Sequence, residues 1–315
     1  MARNALTQQH PVGYGPMEPV MRELPAEFDP HVYRSLYADL AAFSDDELLG
    51  HYRRHGKSEG RRSHSLPDRQ AFADLIADQH ALEIGPFAQP LLHGPNVRFA
   101  DIYSSAEMRA MAPETGLDPA RVPEIDWVVA PNDLSVIDLD FDAVLSSHAI
   151  EHQPNLVGHL RQVSKLLRPG GRYFVLAPDH RYCFDHFKTT STIVDVLDAY
   201  ARDVRLHDPR SLILSRLLIT HNEPVRHWNG DHGEPERNPH FPDDDRDKLL
   251  RDALELLTNA PGALFNDHAW FFTPDSFSSI VTDLANLMLV DFRIERVYPT
   301  LRNTLEFWAV LQKQS

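Results

Sequence analysis

FDAVLSSHAIEHQPNLVGHLRQVSKLLRPGGRYFVLAP, residues 141–178, is the stretch whose reading decides the fold. FDAVLSS (141–147) is a near-continuous apolar run that fits a strand covered on both faces. In PNLVGHLRQVSKLLRPGG, Leu156, Leu160, Val163 and Leu167 recur at helical spacing. Pro169 with Gly170 and Gly171 is expected to end that helix. RYFVLAP (172–178) supplies a second buried strand. Strand, helix and strand at this spacing form a βαβ crossover, which commits both strands to a parallel sheet.

Working outward, the upstream sequence offers three more short apolar runs, ALEIG (81–85), VRFAD (97–101) and DWVVA (126–130). Downstream, residues 180–268 break the alternation. Helices are expected over TIVDVLDAYARD, SLILSRLLIT and RDKLLRDALELLT, joined by linkers rich in His, Pro and Asp, and the segment reads as an inserted helical lid. The sheet pattern then resumes. Thr273 suits an N-cap and Pro274 the first helical position before SFSSIVTDLANLML. FRIERVYPT and LEFWAVLQK close the chain as an antiparallel hairpin at a sheet edge. The fold class is α/β with an open sheet.

Before the sheet, residues 1–27 carry prolines and glycines without apolar periodicity and are expected to form an extended arm. Residues 28–65 read as a small helical module, with a capping box from Ser44 to Glu47 and a helix stop at Gly56. The polar stretch KSEGRRSHSLPD marks the boundary to the main domain, residues 66–315.

Acidic residues outnumber basic ones by 46 to 31, and a net charge of −15 repels phosphate backbones and anionic lipid, so nucleic acid is not an expected partner. No apolar run approaches the length of a membrane span, and the first residues lack a signal-peptide core, so a cytoplasmic protein is expected. Cys183 stands alone and forms no internal disulfide. The 18 histidines are the compositional oddity, many of them between Ala149 and His268.

An open α/β sheet binds ligands beyond the carboxyl ends of its strands, where strand order reverses. After the first strand, Gly85 lets backbone approach a ligand, and Glu83 brings a carboxylate near it. Asp101 ends the second strand, where a carboxylate can accept both hydroxyls of a ribose. Asp133 and Leu134 follow the third strand, placed to meet an adenine amino group and ring face. Each Asp taken singly also fits a cap or a solvated surface group; their order along the chain favours a nucleoside site.

LEIGP, the Asp101 strand end, NDL, FDAVLSSHAIEH and LLRPGGRYFVLAP together resemble the class I S-adenosylmethionine-dependent methyltransferases of the type 11-like group, over about residues 70–313. The resemblance implies a Rossmann-like, seven-stranded methyltransferase sheet whose last strand is antiparallel, with S-adenosylmethionine as cofactor. It implies that Glu83, Gly85, Pro86 and Phe87 wrap the methionine part, that Asp101 holds the ribose, and that Asp133 and Leu134 flank the adenine. Ser146 or Ser147, at the end of the fourth strand, and His148 would lie near the methionine end. The sequence departs from the family in its loop: Phe87 and Gln89 stand where further glycines are usual, and Pro86, Pro90 and Pro95 leave room for only a short helix. The absence of GxGxxG argues against a nicotinamide enzyme.

His148, Glu151 and His152 are spaced i, i+3 and i+4. A similar segment holds a divalent cation in certain O-methyltransferases of the ubiquinone pathway, with Glu in place of His148. Glu151 and His152 also resemble a dyad frequent in the wider family without metal, so no metal is expected. An alcohol acceptor must lose its proton as it attacks the methyl group, and a histidine near its ordinary pKa is the natural base. His232 with Asp231 as its orienting carboxylate, and His180 after the fifth strand, are the candidates, with Asp185, His186, His227 and His268 nearby in sequence.

The N-terminal module resembles short helical modules beside glycosyltransferases and polysaccharide enzymes. That resemblance implies a sugar or glycan acceptor, with Arg53, Arg54, Lys57, Arg61 and Arg62 either meeting its anionic portion or forming a solvated face. The expected function is methyl transfer to a small hydroxylated acceptor. Its rivals are a cofactor-binding protein without turnover and an adaptor of polysaccharide assembly.

Overall fold

The computed structural model describes residues 23–207, 209–234, 238, 241, 245–259 and 267–314. Strands β1 (Ala81–Ile84), β2 (Val97–Asp101), β3 (Trp127–Val128), β4 (Phe141–Ser147), β5 (Leu167–Pro178), β6 (Phe292–Tyr298) and β7 (Glu306–Lys313) form one sheet in the order β3-β2-β1-β4-β5-β7-β6. Strands β1 to β5 pair in parallel; β7 inserts antiparallel between β5 and β6. This is the seven-stranded, Rossmann-like sheet with an antiparallel last strand. The expected hairpin is present with β6, not β7, at the edge.

The helices are α1 (Pro30–Leu36), α2 (Asp45–His51), α3 (Arg69–Ala73), α4 (Ser105–Met111), α5 (Leu156–Leu166), α6 (Ile193–Ala201), α7 (Pro209–Leu217), α8 (Pro224–Trp228), α9 (Arg246–Asn259) and α10 (Pro274–Asn286). The three helices expected in the insertion are present as α6, α7 and α9. The short α8 falls in a linker that shows no apolar period in sequence.

Alternate residues of each strand serve opposite faces, as the pleat requires. Val144, Tyr173, Val175, Phe307 and Ala309 join a core that also takes Leu160 and Val163 of α5 and Ile280 and Leu284 of α10. Their neighbours Leu145, Phe174, Leu176, Trp308 and Val310 join a second core with Phe72 of α3. Phe72 stacks on Trp308 with ring centres 5.4 Å apart and meets Phe174 edge-on at 5.5 Å. Burying an aromatic ring of this size stabilises by about 1.5–3 kcal/mol, so both faces of the sheet are firmly covered.

Helix α5 stops earlier than its apolar spacing suggests. Leu167 is extended, at φ −95° and ψ 139°, and pairs with Phe141, so Leu167–Gly171 belong to β5 and Pro169 sits in a strand. A register shift between Phe141 and Ala143 absorbs the irregularity. The expected short helix between β1 and β2 is absent, because Pro86, Pro90 and Pro95 interrupt backbone donation.

The N-terminal module has its own small core of Tyr33, Leu40, Leu48 and Tyr52, and Ser44 and Glu47 form the expected capping box. The stretch read as a boundary is packed in part against the sheet. Ser63 and His64 are 1% exposed, and His64 lies edge-on to Tyr298 and Trp308. Residues 1–22 of the expected arm lie outside the described residues, whereas Leu24 is buried and the Pro25 carbonyl accepts from the Tyr298 hydroxyl at 2.7 Å.

Gly60 joins module, insertion and sheet. The Arg302 amide donates to its carbonyl at 2.8 Å, and a Cβ at Gly60 would lie 2.5 Å from that amide and 2.6 Å from the Trp228 ring of α8. Trp228 in turn stacks on Tyr182 at 3.8 Å and donates to the Thr304 carbonyl at 2.8 Å.

Candidate functional site

Strand order reverses between β1 and β4, so the crevice opens over their carboxyl ends. Ile84 is level with Ala100 of β2 and Ser146 of β4, which sets Gly85, Asp101 and Ser147 side by side at the strand tips. Gly85 has φ +72°, and a Cβ there would sit 3.4 Å from the Ala149 side chain, so the two loops approach closely. Phe87 is also left-handed, at φ 43°, and packs against the cluster of Ala88, Met108, Ala112 and Val122. Pro86 is buried between Gly85 and Phe87.

Glu83 is buried and accepts the Leu91 amide at 3.0 Å and the Leu92 amide at 2.8 Å. Burial pushes its pKa up to about 7, against the opposing pull of those amides. Its carboxylate therefore closes the loop over residues 86–92 rather than facing the crevice. Asp101 is 7% exposed and accepts the Tyr103 amide at 3.1 Å; burial raises its pKa. An open carboxylate was expected at this tip, and the structure covers it instead. Ile102 and Tyr103 beside it remain exposed, leaving an apolar ledge next to the acid.

Asp133 lies at the surface and accepts the Ser135 amide at 2.9 Å; hydrogen bonding from the Ser135 side chain and then its amide lowers the Asp133 pKa. Leu134 turns into the core, and its amide donates to Gln162 Oε1 at 2.6 Å. Gln162 was not foreseen; it lies on α5, 28 residues away. Ser146 is buried and meets the Tyr173 hydroxyl at 2.7 Å, whereas Ser147 is half-buried and accepts from Arg69.

His148 ends β4 in a left-handed conformation, φ 51°. Its Nε2 lies 2.8 Å from Glu306 Oε2 and its Nδ1 3.7 Å from Glu151 Oε1. The hydrogen bond with His148, with Arg69 nearby, lowers the Glu306 pKa although burial opposes it. Residues 150–152 form a single 3-10 turn rather than the start of an α-helix. Glu151 is fully buried, and neither of its carboxylate oxygens has a hydrogen-bond partner. His152 Nε2 stands 4.0 Å and His268 Nε2 3.8 Å from Glu151 Oε1. Burial raises the Glu151 pKa and holds the His152 pKa well below the ordinary histidine value.

The expected pairing of Asp231 with His232 does not form. Asp231 binds Arg226 at 2.7 Å and accepts the Gly233 amide at 3.2 Å, facing solvent. His232 stacks on His186 with centres 3.7 Å apart and planes 7° apart, and its Nδ1 meets His227 Nδ1 at 3.1 Å. His180 is buried, with Nε2 on Thr190 Oγ1 at 2.8 Å; burial lowers its pKa. A buried carboxylate–imidazole pair forms instead between Asp185 and His268, at 2.5 Å, closed by Lys188 at 2.6 Å from Asp185. Arg69 and Glu306 had no signal in sequence, since each acts through a partner brought in by the fold; Lys188, three residues from Asp185, was not singled out.

Residues 84–175 match the family model described as a methyltransferase domain, a stretch running from the end of β1 into β5. No curated protein matches the chain. Among solved structures, the chain is similar to a putative S-adenosylmethionine-dependent methyltransferase from Listeria monocytogenes, at 15% identity over 85% of this chain and 99% of that one, with a TM-score of 0.38. It is similar to the Burkholderia thailandensis 1,6-didemethyltoxoflavin-N1-methyltransferase, with bound 1,6-didemethyltoxoflavin and S-adenosylhomocysteine, at 16% identity over 94% of both chains and a TM-score of 0.37. Similarity to the mitomycin 7-O-methyltransferase is 14% identity over 88% of this chain, with a TM-score of 0.35, and the match spans 60% of that longer protein.

Proposed function

We propose that the chain is a class I S-adenosylmethionine-dependent methyltransferase acting on a small hydroxylated acceptor, of which a sugar or glycan hydroxyl is one member. The observation that carries this reading is the strand order β3-β2-β1-β4-β5-β7-β6 with Gly85, Asp101 and Ser147 aligned at its switch point, within the segment that matches the methyltransferase family model.

The residues fit the cofactor as follows. Gly85, Pro86 and Phe87 carry the backbone around the methionine part, with Glu83 holding that loop shut from below. Asp101 receives the ribose hydroxyls in exchange for the Tyr103 amide, and the exposed Ile102 and Tyr103 side chains offer an apolar surface for the adenine. Asp133, exposed beside its hydrogen bond from Ser135, meets the amino group; Leu134 supports the floor from the core. Ser147 and His148 face the methionine end.

Bound there, the cofactor supplies an electrophilic methyl on a sulfonium. A hydroxyl acceptor of that methyl group would have to give up its proton, which a base of this chain would take. His148 is the imidazole at the strand tip and, being half-exposed, takes the base role. His180, covered and tied to Thr190, positions the acceptor side. The stacked His232 and the outer Asp231 hold the insertion in place through Thr220 and Arg226. A cleft lined by Pro154, Thr190, Asp195, Asp198, Arg210 and Trp270 suits a small acceptor with several hydroxyls. Arg61 is already bridged to Asp39 and Glu59, and Lys57 to Glu27, so these two cations of the module's basic face are already balanced.

The covered Asp101 favours one other reading, a protein that binds the cofactor without turnover. Incubation with methyl-labelled S-adenosylmethionine and a pool of small hydroxylated metabolites and glycan intermediates separates the two. Label in a product supports the enzyme; calorimetric binding of the cofactor without label in any product supports the binding protein. No binding and no transfer overturn both.

A further inference from the structure

We infer that Glu151, His152 and His268 form a binding site for one divalent transition-metal ion beside the end of β4. One ligand atom from each of Glu151, His152 and His268 lies within 4.8 Å of the other two, drawn from a 3-10 turn after β4 and from the segment that precedes α10. Donors sharing a tetrahedral ion at ordinary zinc–nitrogen and zinc–oxygen lengths stand about 3.4 Å apart. The observed 3.8 and 4.0 Å to the carboxylate need only a small closing of the side chains.

The orphaned carboxylate carries the argument. Glu151 is fully buried with both oxygens unpartnered, a state that costs several kcal/mol unless a counter-charge arrives. At 3.8 Å the His268 nitrogen is too far for a hydrogen bond, so protonating it leaves the oxygen unsatisfied.

Each imidazole is also oriented as a ligand. His268 Nδ1 is held by Asp185 at 2.5 Å and His152 Nδ1 by the Asp267 carbonyl at 3.2 Å, so the free nitrogen of each turns toward Glu151. Metal-bound histidines carry this second hydrogen bond as a rule. Lys188 balances Asp185, leaving the Glu151 charge for the ion. The other histidine cluster lacks this convergence: His186 and His232 are stacked 7° from parallel, so their ring nitrogens do not aim at one point.

Three protein donors leave an open position, as in catalytic rather than structural sites. His148 Nδ1, 3.7 Å from the same carboxylate oxygen, borders it. An acceptor hydroxyl bound there would lose its proton more readily. That consequence rests on the methyl-transfer reading; metal binding does not.

The test uses the full chain stripped with chelator and titrated with Zn²⁺ and Co²⁺ without any methyl donor. Expected are one equivalent bound, a rise in Tm, and visible Co²⁺ absorption of a low-coordinate nitrogen and oxygen site. Glu151→Gln and His268→Ala should each weaken binding at least 100-fold, and Asp185→Asn 10- to 100-fold, while His232→Ala still takes one equivalent. Less than a tenth of an equivalent in the unaltered chain overturns the site. So does binding that survives Glu151→Gln or disappears in His232→Ala. Far-UV circular dichroism identifies an unfolded variant, in which case the Co²⁺ spectrum of the unaltered chain decides: bands of a histidine–carboxylate site support the assignment, and their absence rejects it. Failure of labelled methyl transfer leaves this result standing, because the titration contains no cofactor.

Discussion

Asp185 Oδ2 lies 2.5 Å from His268 Nδ1, joining residues 83 apart in the chain across the two ends of the helical insertion. The same carboxylate holds Lys188 at 2.6 Å, and both charged side chains of that ion pair are 1% exposed. Acid, imidazole and ammonium thus form one buried chain of charge that fixes the base of the insertion and turns the second His268 nitrogen toward Glu151.

Removing Asp185 leaves Lys188 buried without its counter-charge. Asp185→Ala is expected to lower stability by about 3–5 kcal/mol, read as a shift in the urea midpoint. Replacing Asp185 and Lys188 together with apolar residues should recover much of that loss. A double variant as unstable as Asp185→Ala alone would contradict the charge argument.

His64 is buried with neither ring nitrogen partnered, and burial pulls its pKa from 6.5 to about 4. The folded state therefore resists protonation more than the unfolded chain does. Its contribution is fully present above pH 6.5 and is lost as pH falls from 6.5 to about 4. His64→Phe should flatten that part of the stability–pH curve by about 3 kcal/mol. An unchanged slope in urea titrations across this window would count against the buried placement.

Glu83 satisfies the buried amides of Leu91 and Leu92. Glu83→Ala strands those donors, at about 1–3 kcal/mol each. Hydrogen exchange at Leu91 and Leu92 should accelerate at least tenfold while amides in β7 keep their protection. Uniform acceleration throughout the sheet would instead mean global destabilisation.

Asp101→Ala is expected to weaken S-adenosylmethionine binding about 10- to 100-fold, the loss of charged hydrogen bonds to the ribose. Calorimetry with S-adenosylhomocysteine gives the same reading without turnover. Equal affinity in variant and parent would remove Asp101 from the cofactor site.

Gly60→Ala places a methyl 2.5 Å from the Arg302 amide and 2.6 Å from the Trp228 ring, on a backbone at φ +65°. Destabilisation of about 1–3 kcal/mol is expected, with a change in Trp228 fluorescence as its stack on Tyr182 opens. An unaltered emission spectrum would show that module and insertion do not meet at this point.

Much of the sheet was legible in the residues. VRFAD and FDAVLSS match β2 and β4 residue for residue, because short, mostly apolar runs bounded by turns suit strands of a covered parallel sheet. The end of α5 was not legible: Leu167 continues the helical period, yet pairing with Phe141 draws it into β5. Tertiary pairing there outweighs local spacing.

The site divides in the same way. His148, Glu151 and His152 stand out in sequence because their spacing is local, and Asp101 and Gly85 because they end strands. What surrounds them came from distant segments. His268 approaches Glu151, Gln162 takes the Leu134 amide, and Glu306 takes His148. Periodicity records which residues are apolar and at what interval, which determines elements and their layers. Which imidazole nitrogen is tied and which is free depends on directional hydrogen bonds between segments far apart in the chain, and only the folded arrangement of those segments decides it.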